Sequence, residues 1–431
     1  MKNIGLNSVN IPKNIKYVIE QLNNAGYEAY VVGGCVRDSL LGLTPKDWDL
    51  TTNATPDEIR TVFKDYELIN NNGEKHGTVT VRYNNENIEI TTYRVDGDYK
   101  DSRHPESVSF TKNIKEDLAR RDFTINAIAY NEKEGFVDPF GGVRDLELRK
   151  LKSVNKAEDR FNEDALRILR GMRFACKYNL SVDYDIVEAA LKLKNKLNNI
   201  SKERIQTELN QMITYYEFQR QFIYNKDFRE IIFQIIPELG VVKTDYLTKK
   251  FKNLEYKHLD YQIYLAALLE CLSTKSIDNV LTNLKYSNYD KKYIKTLIEI
   301  SEYAVLVQDN VINTYCLKLI LKQIHELFNT DNKFILRQKM FFVLHYLYGS
   351  SHDIKDRLLF EAICKEADGL IDIDTCISLK QLAIKGDDLI KLGYKNTDIG
   401  ATLEYYLDEV MKDHLLNIKE ALLKDAAIYE N

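Results

Sequence analysis

The spacing of apolar and polar positions divides the chain into a mixed first part and a helical remainder. Residues 12–25 repeat apolar side chains at helical intervals and predict a helix. Tyr30-Val31-Val32 is the apolar run of a buried strand, ended by Gly33-Gly34 and followed by a short helical segment. Residues 47–51 predict a strand with side chains on alternate faces. Thr55-Pro56-Asp57-Glu58 is a helix start, with Thr as N-cap, Pro at the first helical position and Glu at the third. Residues 77–83 and 87–94 alternate about an Asn84-Asn85-Glu86 turn and predict a hairpin. Residues 96–109, with Arg103 and His104, form a polar loop without periodicity, either a mobile functional element or a plain connection.

The spacing of 114–130 predicts a helix with Leu118, Phe123, Ile125 and Ala129 in the core, and Arg120, Arg121 and Asp122 fanning over different faces. Residues 135–146, with Asp138-Pro139 and Gly141-Gly142, read as a turn-rich joint that ends the first domain. Asn162 is placed as the N-cap of the next helix, with Glu163 and Asp164 in its first turn. Ala165, Leu169, Met172 and Cys176 form its apolar stripe, opposite Arg167, Arg170 and Arg173. From about residue 180 the pattern is helical throughout, at 183–197, 201–215, 260–273, 289–305, 313–328, 336–348, 353–366, 398–411 and 416–429, with no strand and no fixed-period repeat. The expected division is 1–148, 149–215, 216–330 and 331–431.

With 431 residues the chain can bury about three cores. Hydrophobic content of 44% and charged content of 29% imply a soluble globular protein. The first residues lack a signal-peptide core and no run is long enough for a membrane span, so a cytoplasmic location and no membrane partner are expected. Six scattered cysteines without a CxxC pair imply free thiols and argue against a zinc site. A net charge of −5 excludes a globally basic nucleic-acid binder. Residues 149–177 reverse that sign, with nine Lys or Arg against four acids. The oligomeric state is not encoded in any pattern of this kind.

Asp47 and Asp49 carry the first candidate chemistry. On a strand they point the same way, with Cα atoms roughly 7 Å apart. Carboxylates converging to ~4 Å at an effective dielectric of ~20 repel by about 4 kcal/mol, which a bound cation relieves. Mg²⁺ suits two hard oxygen donors supplemented by phosphate oxygens. The Gly33-Gly34 turn lets backbone amides approach a phosphate, and Arg37 adds a charge-assisted donor. Alone, a D-x-D string or a Gly-Gly pair is an ordinary strand or turn; their order along the chain points to metal-assisted nucleotidyl transfer. Glu89 is either a third metal-site carboxylate or part of a solvated face. The Glu163, Asp164, Arg167, Arg170 and Arg173 row reads either as a solvated face with i,i+4 pairs or as donors and acceptors for a base edge.

Taken together, GGCVRD (33–38), DWD (47–49), RRDFTINAIA (120–129), VDPFGGVRDL (137–146), EDALRILRGMRF (163–174) and SKERIQTEL (201–209) resemble the bacterial class II tRNA nucleotidyltransferases, the CCA-adding enzymes, and the related poly(A) polymerases. A weaker likeness to the family's C-terminal helices runs over 382–426. The resemblance implies an α+β fold: a polymerase β-like head with a small mixed sheet, then helical neck, body and tail. It implies addition of C, C and A to the 3′ end of tRNA from CTP and ATP, with the tRNA acceptor arm as partner. Gly34, Arg37 and Arg121 would bind the nucleotide, Asp47 and Asp49 would hold Mg²⁺, and Asp164 and Arg167 would hydrogen-bond the base in a pocket completed by Arg170 and Arg173. The 96–109 loop resembles the family's flexible loop for switching from CTP to ATP. Arg103-His104-Pro105, where relatives often show two adjacent arginines, bears on the terminal A step. A poly(A) polymerase, a CC-only enzyme and an idle RNA-binding protein are the alternatives. Residues 258–271 lack a His-Asp pair and His352-Asp353 lies outside that context, so no phosphohydrolase activity is expected.

Overall fold

The computed structural model describes residues 9–69, 77–97, 108–241, 259–304, 306–308, 311–348 and 354–429. The chain separates into two compact units, Met1–Gly240 and Val241–Asn431.

The first unit opens with helix α1 (Lys13–Asn24), started by Pro12, whose Ile15, Val18, Ile19 and Leu22 are buried. Strand β1 (Ala29–Val32) is buried along its length and passes through Gly33 into α2 (Gly34–Leu40). Then come β2 (Leu50–Thr52) and α3 (Pro56–Val62), which begins with the expected reciprocal Thr55–Glu58 capping box. Strands β3 (Glu67–Ile69), β4 (Thr78–Tyr83) and β5 (Glu86–Thr92) follow. β4 and β5 join through Asn84 and Asn85, both with positive φ (49° and 63°). Glu86 already pairs with Tyr83, so the turn is one residue shorter than the spacing suggests. β6 (Arg94–Asp96) pairs with β7 (Val108–Phe110); residues 98–107 of the polar loop, Arg103 and His104 included, lie outside the described residues.

Residues 114–130 depart from the expected single helix. Helix α4 stops at Ile114–Ala119, a short 3₁₀ turn covers Thr124–Asn126, and Ala129–Asn131 is strand β8. The backbone finds better partners elsewhere: Thr124 N donates to Lys152 O at 3.0 Å and Val154 N to Asp122 O at 3.1 Å. Leu118, Phe123, Ile125 and Ala129 are nevertheless buried as the pattern requires. The expected turn-rich joint contains β9 (Gly135–Val137) and α5 (Gly142–Glu147). Asp138 caps α5, accepting from Gly142 N at 2.7 Å and Val143 N at 2.9 Å. A Cβ at Gly142 would stand 2.1 Å from Thr124 O, so only glycine lets α5 approach the 124–126 turn.

The sheet runs β3-β4-β5-β2-β1-β8-β9, with β2 and β5 parallel and the other neighbours antiparallel. After β10 (Lys150–Leu151) come α6 (Ala157–Glu163) and α7 (Leu166–Tyr178). The break falls at Asp164, not at Asn162, which lies inside α6. Asp164 is extended (φ −143°, ψ 104°) and its Oδ1 accepts from Leu166 N at 3.0 Å, so the cap sits two residues later than expected. β11 (Ser181–Val182) pairs with β10, a strand where the pattern from about residue 180 led to none being expected. The helices α8 (Tyr184–Leu193), α9 (Lys202–Ile213), α10 (Tyr216–Tyr224) and α11 (Lys226–Ile235) complete this unit.

The second unit is helical, as its pattern predicts. Its helices are Tyr261–Leu269, Thr274–Asn283, Asn288–Tyr303, Thr314–Phe328, Lys333–Tyr348, Ile354–Asp372, Gly386–Lys391, Ile399–Met411 and Lys419–Tyr429. Val307–Gln308 and Val311–Ile312 pair as two-residue strands, against the expectation of none. No helix among the described residues is long and apolar enough to cross a membrane. All six cysteines are free.

Candidate active site

β1 delivers the chain to Gly33, which has φ +77°. β2 starts only at Leu50, so Asp47 and Asp49 belong to the extended approach to the strand rather than to the strand itself. The reason is that β1 turns away at Gly33 and leaves 47–49 without a ladder partner, apart from Val32 N donating to Asp49 O at 3.0 Å. Both carboxylates remain exposed. Although Asp49 is exposed by area, the protein atoms crowding it displace water from its carboxyl and raise it above the ordinary range; Arg121 opposes that shift and the like charge of Asp47 adds to it. The two acids are therefore electrostatic neighbours beside the turn, as a shared cation requires.

Arg121 stands at the same place. Its Nη1 would lie 2.9 Å from a Cβ built on Gly33, and its Nη2 is 3.5 Å from Asp117 Oδ2. Its Nε is buried without a hydrogen bond among the described residues. Asp117 is buried; burial alone would raise its carboxyl, but Arg120 and Arg121 hold it below the usual range. The arginine reaching the glycine turn is thus fixed from behind by an acid three and four residues upstream of the Arg120-Arg121 pair. That i,i+3/i+4 spacing was the available signal for Asp117.

Arg37 sits elsewhere than the open face of the turn. It is buried, with Nε donating to Asp38 Oδ1 at 2.8 Å and Nη1 to Asn126 Oδ1. Gly34 has ordinary contact with its guanidinium, at 3.6 Å for a built Cβ. Glu89 is exposed and lies on β5 one residue before Ile90, the register partner of Leu50. Among the described residues no group of three or more His, Cys, Asp or Glu side chains is close enough to hold a metal. A cation beside the turn would have the Asp pair as its protein donors. That fits an ion completed by phosphate oxygens and water rather than an all-protein cage.

The row on α6 and α7 is engaged within the protein instead of facing water. Glu163 bridges Arg160 and Arg167, the latter at 2.5 Å. Arg167 Nη2 also donates to Arg120 O at 3.2 Å. Asp164 accepts from Arg204 Nη2 at 2.7 Å. Arg170 grips Asp122, and Arg173 donates to Glu208 at 2.5 Å. The apolar stripe Ala165, Leu169, Met172 and Cys176 is buried as expected. Arg204 and Glu208 carried no sequence signal of their own beyond lying in the SKERIQTEL string. A cavity of about 420 Å³ opens beside Glu163, lined by Asp96, Arg120, Asn155 and Arg160 among others. A larger one, about 480 Å³, lies against Ile168, Met172 and Ala175 and touches none of the acids above.

Residues 29–152, which hold the turn, the Asp pair and Arg121, match the poly A polymerase head domain, and the class is that of the nucleotidyltransferases. The chain is 31% identical to the CCA-adding enzyme of Staphylococcus haemolyticus, over 95% of its own length and 96% of that protein. It is 46% identical to the CCA-adding enzyme of Geobacillus thermodenitrificans over 197 residues, 46% of this chain and 48% of that one. The crystal structure of the Bacillus stearothermophilus CCA-adding enzyme in complex with CTP has the same fold, with a TM-score of 0.72 at 23% identity and 97% of each chain covered. The chain belongs to the family of CCA-adding enzymes.

Proposed function

We propose that the protein adds C, C and A in turn to the 3′ end of tRNA, using CTP and ATP and releasing pyrophosphate. The observation that carries this reading is the guanidinium of Arg121 at the Gly33 turn, beside the exposed Asp47 and Asp49 pair. A triphosphate lying along that turn meets backbone amides, a fixed cation and two carboxylates at once. Enzymes of this family generally use a divalent metal. Mg²⁺ held by Asp47 and Asp49 would lower the pKa of the attacking hydroxyl and stabilise the departing pyrophosphate. Gly34 shapes the turn, Arg37 supports it from inside, and Arg121 orients the phosphates. Asp164 and Arg167 read the base edge, with Arg170 and Arg173 forming the rear of that pocket and Glu163 holding Arg167. Glu89, one residue before the β5 partner of Leu50, would serve as an accessory acid outside the metal's donor set.

In this reading 1–148 is the catalytic head and 149–215 the base-reading neck. Residues 216–330 and 331–431 are body and tail, which hold the tRNA acceptor arm. The enzyme works in the cytoplasm, where its substrates are. The test supplies purified protein with tRNA lacking its terminal CCA. CTP alone should extend it by two residues and both nucleotides by three. Asp47→Ala should lower the rate by at least about 10³-fold, and chelation should abolish it until Mg²⁺ is restored. Long A tails on unrelated RNA, or incorporation that survives Asp47→Ala, would reject the proposal.

A further inference from the structure

Arg170, Phe174 and Tyr178 recur at four-residue intervals on α7 and so share one face. That face meets the catalytic head through a closed run of hydrogen bonds. Arg170 donates to Asp122 Oδ2, and Asn126 Nδ2 donates to Asp122 Oδ1 at 2.9 Å. Arg37 donates to Asn126 and, through Nε, to Asp38. Tyr178 Oη donates to the same Asp38 Oδ1 at 2.8 Å, which returns the run to α7 eight residues after it left. Inside the ring the Arg37 guanidinium lies 5.1 Å from the Phe174 ring centre and 4.7 Å from that of Tyr178. Phe174 meets Phe123 edge to face at 5.9 Å. Arg37, Asp122, Asn126, Phe174 and Tyr178 are all buried.

A helix is a stiff rod rising 1.5 Å per residue, so Arg170 and Tyr178 anchor α7 at points about 12 Å apart. One anchor leaves a rod free to swing about it; two fix its angle. Asp164 and Arg167 lie beyond Arg170 on the side away from Tyr178. A swing of about 1 Å at Tyr178 therefore moves them several tenths of an ångström the other way. A misplacement of about 1 Å can cost about a hundredfold in rate, so a shift of several tenths is enough for a smaller, measurable change.

We infer that Tyr178 is a positioning residue for nucleotide choice: through Asp38 and Arg37 it sets where the base-reading end of α7 stands relative to the Gly33-Gly34 turn. The inference rests on the base-reading role proposed for Asp164 and Arg167. Tyr178→Phe removes the hydroxyl and keeps the ring against Arg37, so the fold should survive. The expected result is a fall of about tenfold in the ratio of kcat/KM for CTP over UTP on tRNA lacking CCA, with thermal unfolding little changed. Asp38→Ala removes the acceptor of the Tyr178 bond together with one partner of Arg37, so its fall should be at least as large, and the double variant should lose no more than Asp38→Ala alone. A wild-type ratio in soluble Tyr178→Phe, or additive losses in the double variant, overturns the inference while leaving the proposed function standing. Failure of the wild-type protein to prefer CTP strikes the functional reading instead. If Tyr178→Phe does not fold, Asp38→Ala with an unchanged ratio decides against the inference.

Discussion

Arg170 places two nitrogens on one oxygen of Asp122, Nε at 2.9 Å and Nη2 at 2.8 Å, across 48 residues of sequence. The pair ties the neck helix to the turn that carries Arg121, the arginine at the proposed triphosphate site. Burial alone would raise the Asp122 carboxyl; Arg170, with help from Asn126 and Arg167, brings it down to about 2. Its folded pKa thus lies below the unfolded value. The stabilisation is full above the ordinary carboxylate range and disappears as pH falls from about 4 through about 2. Its size is on the order of 2 kcal/mol. Denaturant titrations across that window should show a steeper loss of stability in the wild-type protein than in Asp122→Asn, which has no charge to lose. Equal slopes would mean that the pair contributes nothing to the pH dependence.

Gly33 is constrained twice, by its φ of +77° and by Arg121 at 2.9 Å from a built Cβ. Gly33→Ala therefore strains the backbone and displaces the guanidinium that the phosphates would meet. The expected outcome is a loss of about 1–2 kcal/mol in unfolding free energy together with a KM for CTP raised by about tenfold or more. Gly26, also at positive φ but with nothing within 4 Å of its built Cβ, provides the control. Gly26→Ala should lose comparable stability and leave KM alone. A matching KM rise in both variants would remove any special role for the Arg121 contact.

Parts of the head's fold were legible because they reside in short strings whose geometry is local. The capping box at Thr55, the hairpin turn at Asn84-Asn85 and the glycine exit from β1 depend on backbone preferences within four residues; all three formed, the turn one residue shorter than its spacing suggested. The 114–130 segment misled because its apolar spacing fits a helix, whereas hydrogen bonds to residues 152–154, some thirty positions away, decide its backbone. The arginine row was legible only in part. Periodicity gives the face on which Arg167, Arg170 and Arg173 lie, but not what stands opposite. Asp122, Glu208 and Arg120 O are supplied by distant segments, so a face that looks solvated is an internal ion-pair seam. Phe174 and Tyr178 continue the Arg170 face at helical spacing and could have been found by asking which residues flank the arginines. Asp38 and Asn126, their partners across the seam, carry no such sign.

The final prediction concerns the acid proposed to read the base. Asp164 is held from two sides: Oδ1 accepts from Leu166 N and Oδ2 from Arg204 at 2.7 Å. The first bond fixes the carboxylate at the head of α7; the second fixes its rotation. Arg204→Met keeps the unbranched apolar stem of the side chain and removes the donor, so the carboxylate keeps its position but not its orientation. Base discrimination needs oriented acceptors, because a freely turning carboxylate meets the right and wrong base edges equally well. The ratio of kcat/KM for CTP over UTP should fall by about tenfold in Arg204→Met, and further in Asp164→Ala, while turnover on saturating CTP falls less. Single-nucleotide incorporation on tRNA lacking CCA measures both. If Arg204→Met instead lowers turnover on every nucleotide alike and leaves the ratio intact, the Arg204–Asp164 pair supports the fold of the neck and not the reading of the base.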